Sequence, residues 1–171
     1  MLNTVKRLAP VAILAAACNP PETVDYVDLE RYDGVWYEIA SYEQSYQAGC
    51  EDTTATYTIR DDGDIDVLNE CDVDGEYNPI EGYAYVTDST TNAKLRVVFN
   101  SGFPGDYWII DLDDAAEGED YEWAVVGSSI RSFLWILSRE PELDSDTLDG
   151  ILDRLEAQDY DVSDLKYTVH N

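Results

Sequence analysis

The sequence predicts an all-β sandwich or barrel of eight antiparallel strands, followed by one helix and a short last strand. Three observations carry this. Short segments rich in Val, Ile, Thr, Tyr and Trp recur from Val35 to Ser138, separated by Gly, Asp, Asn and Ser. Only Leu148, Ile151, Leu152 and Leu155 show the i, i+3, i+4, i+7 spacing of a helix face. The run Phe133–Leu137 has no polar alternation, so both of its faces must be covered, and the helix downstream is the obvious cover. At 171 residues the chain suits one domain. With 44% hydrophobic residues it stands apart from disordered acidic chains.

Taken in order, the chain starts with Lys6 and Arg7, an apolar run from Leu8 to Ala17, and Cys18. A basic start, a short apolar stretch and small residues before a cut site describe a signal peptide over residues 1–17. The run is shorter than the roughly 20 apolar residues that span a bilayer. Leu14-Ala15-Ala16-Ala17-Cys18 also resembles the lipobox of bacterial lipoproteins, in which the cysteine becomes the lipidated N-terminus. Residues 18–28, with Pro20 and Pro21, then form a tether, and residues 29–171 form the folded domain.

The first strand runs from Val35 to Tyr42 and the second from Thr53 to Arg60. Asp61-Asp62-Gly63-Asp64 supplies a hairpin turn, since Asp-Gly tolerates positive φ, and Ile65–Cys71 returns antiparallel. Five more strands follow: Ile80–Val86, Lys94–Asn100, Tyr107–Leu112, Tyr121–Val126 and Phe133–Ser138. Asp144 or Ser145 can cap the helix, with Asp146 and Asp149 at its positive end. Leu165–Val169 is the last strand. With Cys18 lipidated, Cys50 and Cys71 remain, and an even pair in an exported chain reads as a disulfide. The hairpin brings Cys71 opposite Thr53 or Thr54, close to Cys50; two free thiols are the alternative.

Charge excludes several functions. Ten Lys and Arg against 37 Asp and Glu give a net charge of −27. Phosphate-driven binding of nucleic acid is therefore excluded, and so is broad attachment to an anionic membrane surface. The single histidine, His170, offers no histidine-based nucleophilic triad or multi-histidine metal site. Removing the leader leaves eight basic residues and a charge of −29. Such self-repulsion is relieved by salt, which points to a saline medium.

The quoted residues then converge. Gly34-Val35-Trp36-Tyr37-Glu38-Ile39-Ala40 resembles the opening G-x-W motif of the lipocalin family, in its bacterial outer-membrane and apolipoprotein D-like branch. Leu134-Trp135-Ile136-Leu137-Ser138-Arg139-Glu140-Pro141 is similar to the family's last-strand motif ending in arginine. Thr56-Tyr57, Glu81-Gly82 and Tyr107-Trp108-Ile109-Ile110 fall between them in the family's order. The motif near the seventh strand is partial, with Tyr121 and Trp123 present and Gly127-Ser128-Ser129 where a proline is common. Relatives often tie the position of Cys50 to a C-terminal cysteine absent here, so Cys71 substitutes as partner or Cys50 stays free.

The resemblance implies an eight-stranded antiparallel up-and-down barrel with the helix packed outside and the short strand last. Gly34, Trp36 and Arg139 become structural, with Trp36 plugging the closed end and the Arg139 guanidinium across its ring. The interior would take a fatty acid, lysophospholipid or similar small hydrophobic ligand, for storage or transport. Strand parity puts Ala84, Val86, Leu95, Val97, Phe99, Tyr107 and Ile109 inside, and the resemblance adds Trp135 as an aromatic wall. The inward set carries no acidic residue. The field of so acidic a chain disfavours anions such as palmitate relative to neutral or zwitterionic lipids. The chain is then a bacterial outer-membrane lipoprotein held by its N-terminal lipid, without catalytic residues, metal or cofactor. Two other readings stand beside it. One is an enzyme on this scaffold using barrel-mouth carboxylates such as Glu38. The other is an exported calcium-binding β protein using Asp61, Asp62, Asp64 and Asp66, or Asp72 and Asp74.

Overall fold

In the computed structural model, which describes residues 19–100 and 102–171, eight strands form a closed antiparallel barrel. They are β1 (Gly34–Tyr42), β2 (Cys50–Ile59), β3 (Ile65–Val73), β4 (Glu76–Val86), β5 (Lys94–Val98), β6 (Gly105–Leu112), β7 (Trp123–Gly127) and β8 (Leu134–Ser138). Neighbours pair in chain order, and β1 closes the ring by pairing with both β8 and β2. A short β9 (Leu165–Tyr167) pairs with Ala40–Tyr42 of β1. Cys18 and the residues read as a signal peptide lie outside the described residues.

The doubly apolar β8 explains the outer layer. Leu134 and Ile136 point outward into a cluster with Ile110 and Val125, and helix α2 (Ser145–Ala157) covers them with Ile151 and Leu155. Both helix residues are essentially inaccessible to water, each burial being worth about 1.5–3 kcal/mol. Asp144 caps α2, accepting from the backbone N–H groups of Asp146 and Thr147. On the β2–β3 turn Gly63 has φ +90°, the left-handed geometry that the Asp-Gly pair supplies.

Several boundaries differ from the sequence reading. The strand from Cys50 starts earlier than Thr53, and β4 starts at Glu76 instead of Ile80, because the hairpin ladder continues to the pair Val73 and Glu76. Tyr121 lies before β7; its buried hydroxyl accepts from the Asp28 backbone N–H, and Arg31 lies 4.2 Å over its ring. A one-turn helix, α1 (Leu29–Tyr32), closes the barrel end under an Asp28 cap and is too short to show a period. Residues read as tether also lie against the barrel: Val24 N–H donates to Ile109, Val27 N–H donates to Thr91, and Val27 is fully buried.

Cys50 and Cys71 form a disulfide with Cα atoms 5.4 Å apart. Cys71 opposes the bulge between Glu51 and Thr54, close to the register the hairpin implied. The bridge closes a loop of 21 residues, worth roughly 3 kcal/mol in the chain-entropy picture. Reducing it should lower the unfolding free energy by about that amount, measured by urea unfolding with and without reductant. An unchanged midpoint would show that the strand ladder alone fixes the hairpin.

Candidate functional site

The site is built upward from a sealed end. Trp36 on β1 is fully buried, and its indole N–H donates to the Tyr32 carbonyl. The Arg139 guanidinium lies 3.8 Å over the indole ring. It also donates to the carbonyls of Val35, Arg31, Asp33 and Tyr121 at 2.8–3.1 Å. Burial pulls this guanidinium below its ordinary pKa, opposed by the charges of Asp120, Asp33 and Glu122. Gly34, at φ +102°, passes under the clamp; a Cβ there would stand 3.3 Å from the guanidinium.

Above the plug three tyrosines form a floor. Tyr107 donates its hydroxyl hydrogen to Tyr57 at 2.9 Å, so Tyr32, 2.8 Å away, donates to Tyr107. The hydrogen of Tyr57 is left without a protein acceptor among the described residues. Burial drives the Tyr32 and Tyr107 phenols well above their ordinary range and pushes Tyr57 up to about 12.

Over this floor opens a cavity of about 480 Å³, within the size range of small-molecule sites. Its apolar wall combines Ala55, Tyr57, Val67, Val126, Phe133, Leu137 and the disulfide with four residues expected from sequence: Val97, Phe99, Tyr107 and Trp135. Phe133 and Trp135 stack with centroids 5.7 Å apart. Gly82 leaves room for Phe99, whose ring a Cβ at that position would meet at 2.6 Å. Exposed Tyr46 and Phe103 stand at the mouth.

The remaining expected residues face inward but sit elsewhere. Ala84, Leu95 and Ile109 surround a small void of about 10 Å³ beneath the tyrosines, too small for a ligand. Val86 packs at the edge of the same inner core. Parity placed them inside; their depth along the axis puts them at the closed end. The expectation of an acid-free interior needs correction. Glu38 is only 7% exposed and lines the cavity, as do Glu70 and Asp106. Glu38 shares its strand face with Trp36 two residues earlier, and that parity was the signal for it. Ala55, Tyr57 and Val67 were equally legible from alternation in β2 and β3, whereas Tyr46 and Phe103 come from loops, where no period speaks.

A barrel sealed at one end around an apolar cavity defines a cup-shaped binding protein for small hydrophobic molecules. The chain belongs to the lipocalin family: the model of the lipocalin-like domain matches residues 27–170. It is 39% identical to temperature-induced lipocalin-1 of Arabidopsis thaliana, over 86% of this chain and 81% of that one. It is 38% identical to the outer membrane lipoprotein Blc of Escherichia coli (strain K12), over 91% and 89%. Apolipoprotein D of Macaca fascicularis is 32% identical, over 88% and 81%.

The tyrosine floor has a pH signature. Because folding raises the Tyr57 pKa from 10.0 to about 12, its contribution is fully present below about pH 10 and is lost as pH rises through 12. Stability measured by urea unfolding should fall across that window, and Tyr57→Phe should make the fall shallower. An identical decline in the variant would show that the buried phenol is not its source.

Proposed function

We propose that the protein carries a fatty acid, lysophospholipid or similar lipid in this cavity, anchored to the bacterial outer membrane through lipid on Cys18. The observation that carries the reading is the 480 Å³ cavity, sealed below and flanked by aromatic side chains at its mouth. Each buried ligand methylene is worth about 0.8 kcal/mol, so an acyl chain reaches micromolar affinity without specific polar contacts. Trp135 and Phe133, with Val97, Phe99, Tyr107 and Leu137, supply that apolar contact. The anchor is supported by the leader sequence ending at Cys18 and by similarity to the outer membrane lipoprotein Blc. No described helix is long and apolar enough to cross a membrane. The acidic surface favours neutral or zwitterionic lipids over free carboxylates.

Geometry favours binding over catalysis. Glu38 is held by the hydroxyls of Ser41 and Thr168 and by the Gln47 amide rather than by a second carboxylate. His170 packs edge-on against Tyr37, and its ring nitrogens face the Glu38 carbonyl and Asp52. Around the β2–β3 hairpin Arg60 pairs with Asp62, Asp64 and Asp66 at 2.8–3.3 Å, so a cation of the chain itself already sits among these carboxylates.

Native extraction followed by mass spectrometry should recover a co-purifying lipid, and added fatty acid should quench the intrinsic tryptophan fluorescence. In Trp135→Ala that quenching should disappear and affinity by calorimetry should weaken about tenfold. No co-purifying lipid together with no quenching would defeat the carrier reading.

A further inference from the structure

Glu38 combines three features rarely found together. It is more than nine-tenths buried, it lines the ligand cavity, and no cation pairs with it among the described residues. Its Oε1 accepts from Ser41 Oγ at 2.9 Å and Thr168 Oγ1 at 2.7 Å, and its Oε2 from Gln47 Nε2 at 3.2 Å. These neutral donors orient the carboxylate without cancelling its charge. The nearest base, His170, reaches only the main-chain carbonyl of Glu38, and its other nitrogen faces Asp52. By contrast Asp106, also on the cavity wall, has Arg96 at 3.2 Å.

A buried carboxylate is ordinarily paired, because removing it from water is costly. Here the missing partner has a place to come from. Gln47 and Asn69, both on the cavity wall, each keep a buried amide oxygen with no hydrogen-bond partner, so unpaired acceptors line the chamber beside the carboxylate. An acceptor-rich, anionic patch in an apolar chamber matches an amphiphile whose polar group is a positively charged donor. We propose that the ligand is a long-chain amine or amine-bearing lipid whose protonated ammonium sits against Glu38, with its chain along the Trp135 wall. This rests on the lipid-carrier reading and sharpens its ligand class. The charge-assisted contact is selective: a fatty alcohol of equal length gains the same chain burial but not the ion pair.

Calorimetric titration of the delipidated protein with dodecylammonium, dodecanol and laurate at neutral pH separates the possibilities. Dodecylammonium should bind about tenfold or more tighter than dodecanol. In Glu38→Gln the two should come within about threefold of each other. This variant keeps the shape and an oxygen for Ser41 and Thr168, and a rotated Gln47 amide can turn its unpartnered oxygen toward the new N–H₂. A second measurement needs no mutation. In about 1 M salt the preference should persist, since a buried pair is screened far less than the surface field. Equal binding of amine and alcohol, a preference that survives Glu38→Gln, or one that vanishes in salt would each overturn the assignment to Glu38. If dodecanol and laurate also fail to bind, the carrier reading falls with it.

Discussion

One guanidinium fixes where this barrel is closed. Arg139, immediately beyond β8, holds carbonyls from α1, from the approach to β1 and from the segment before β7 while covering Trp36. A Lys could not do this, because only the planar fork spreads several donors over one ring. Three chain segments distant in sequence, residues 31–36, Tyr121 and Arg139 itself, are thereby tied at one point. With that end sealed by α1 and the tyrosine floor, interior space can exist only above, and the cavity opens on the side of Tyr46 and Phe103. The glycine at position 34 belongs to the same device, since its positive φ lets β1 begin directly beneath the clamp.

Alternation along the strands fixed which side chains face inward and placed Val97, Phe99 and Tyr107 on the cavity wall, whereas Trp135, in a strand without polar alternation, came from the family resemblance. It could not fix depth. Depth depends on the stagger of each strand around the barrel, a property of the closed sheet rather than of any one strand. Ala84, Leu95 and Ile109 therefore share the inward face with the cavity residues yet surround the sealed void beneath them. The inward set drawn from the later strands carried no acid, although Glu38, named only as a barrel-mouth carboxylate, follows Trp36 at the strand period. The α1 turn and the loop aromatics had no periodic signal to read.

The wall around Glu38 depends on a seam. β1 pairs with β2 only from Gly34 to Tyr37, and the two strands then separate. β9 takes the free edge of β1, and the following residues bridge to β2, with the Asp52 N–H donating to Val169 and the Asn171 N–H donating to Asp52. Asp52 adopts φ 52° where β2 bulges away, a conformation that aspartate tolerates better than most residues. Thr168 and His170 consequently reach Glu38 from outside the eight-strand ring. Residues 168–171 thus support the cavity wall by holding Glu38 and Asp52, a role that a strand of three residues does not advertise.

Location decides what the acidity of this protein means. On the surface, acids serve as caps at Asp28, Asp144 and Asp161, pair with scarce cations such as Arg60 and Arg154, or stand in water. Their mutual repulsion is long-ranged and falls away with salt, so it bears on medium and solubility and little on what the barrel holds. Glu38 obeys other rules. Enclosed by protein, its field is weakly screened and directed into a chamber of apolar side chains, where one charge outweighs many outside. In the proposed reading the two act by different mechanisms: the surface charge only raises the encounter rate of a cation, and Glu38 discriminates once it is inside.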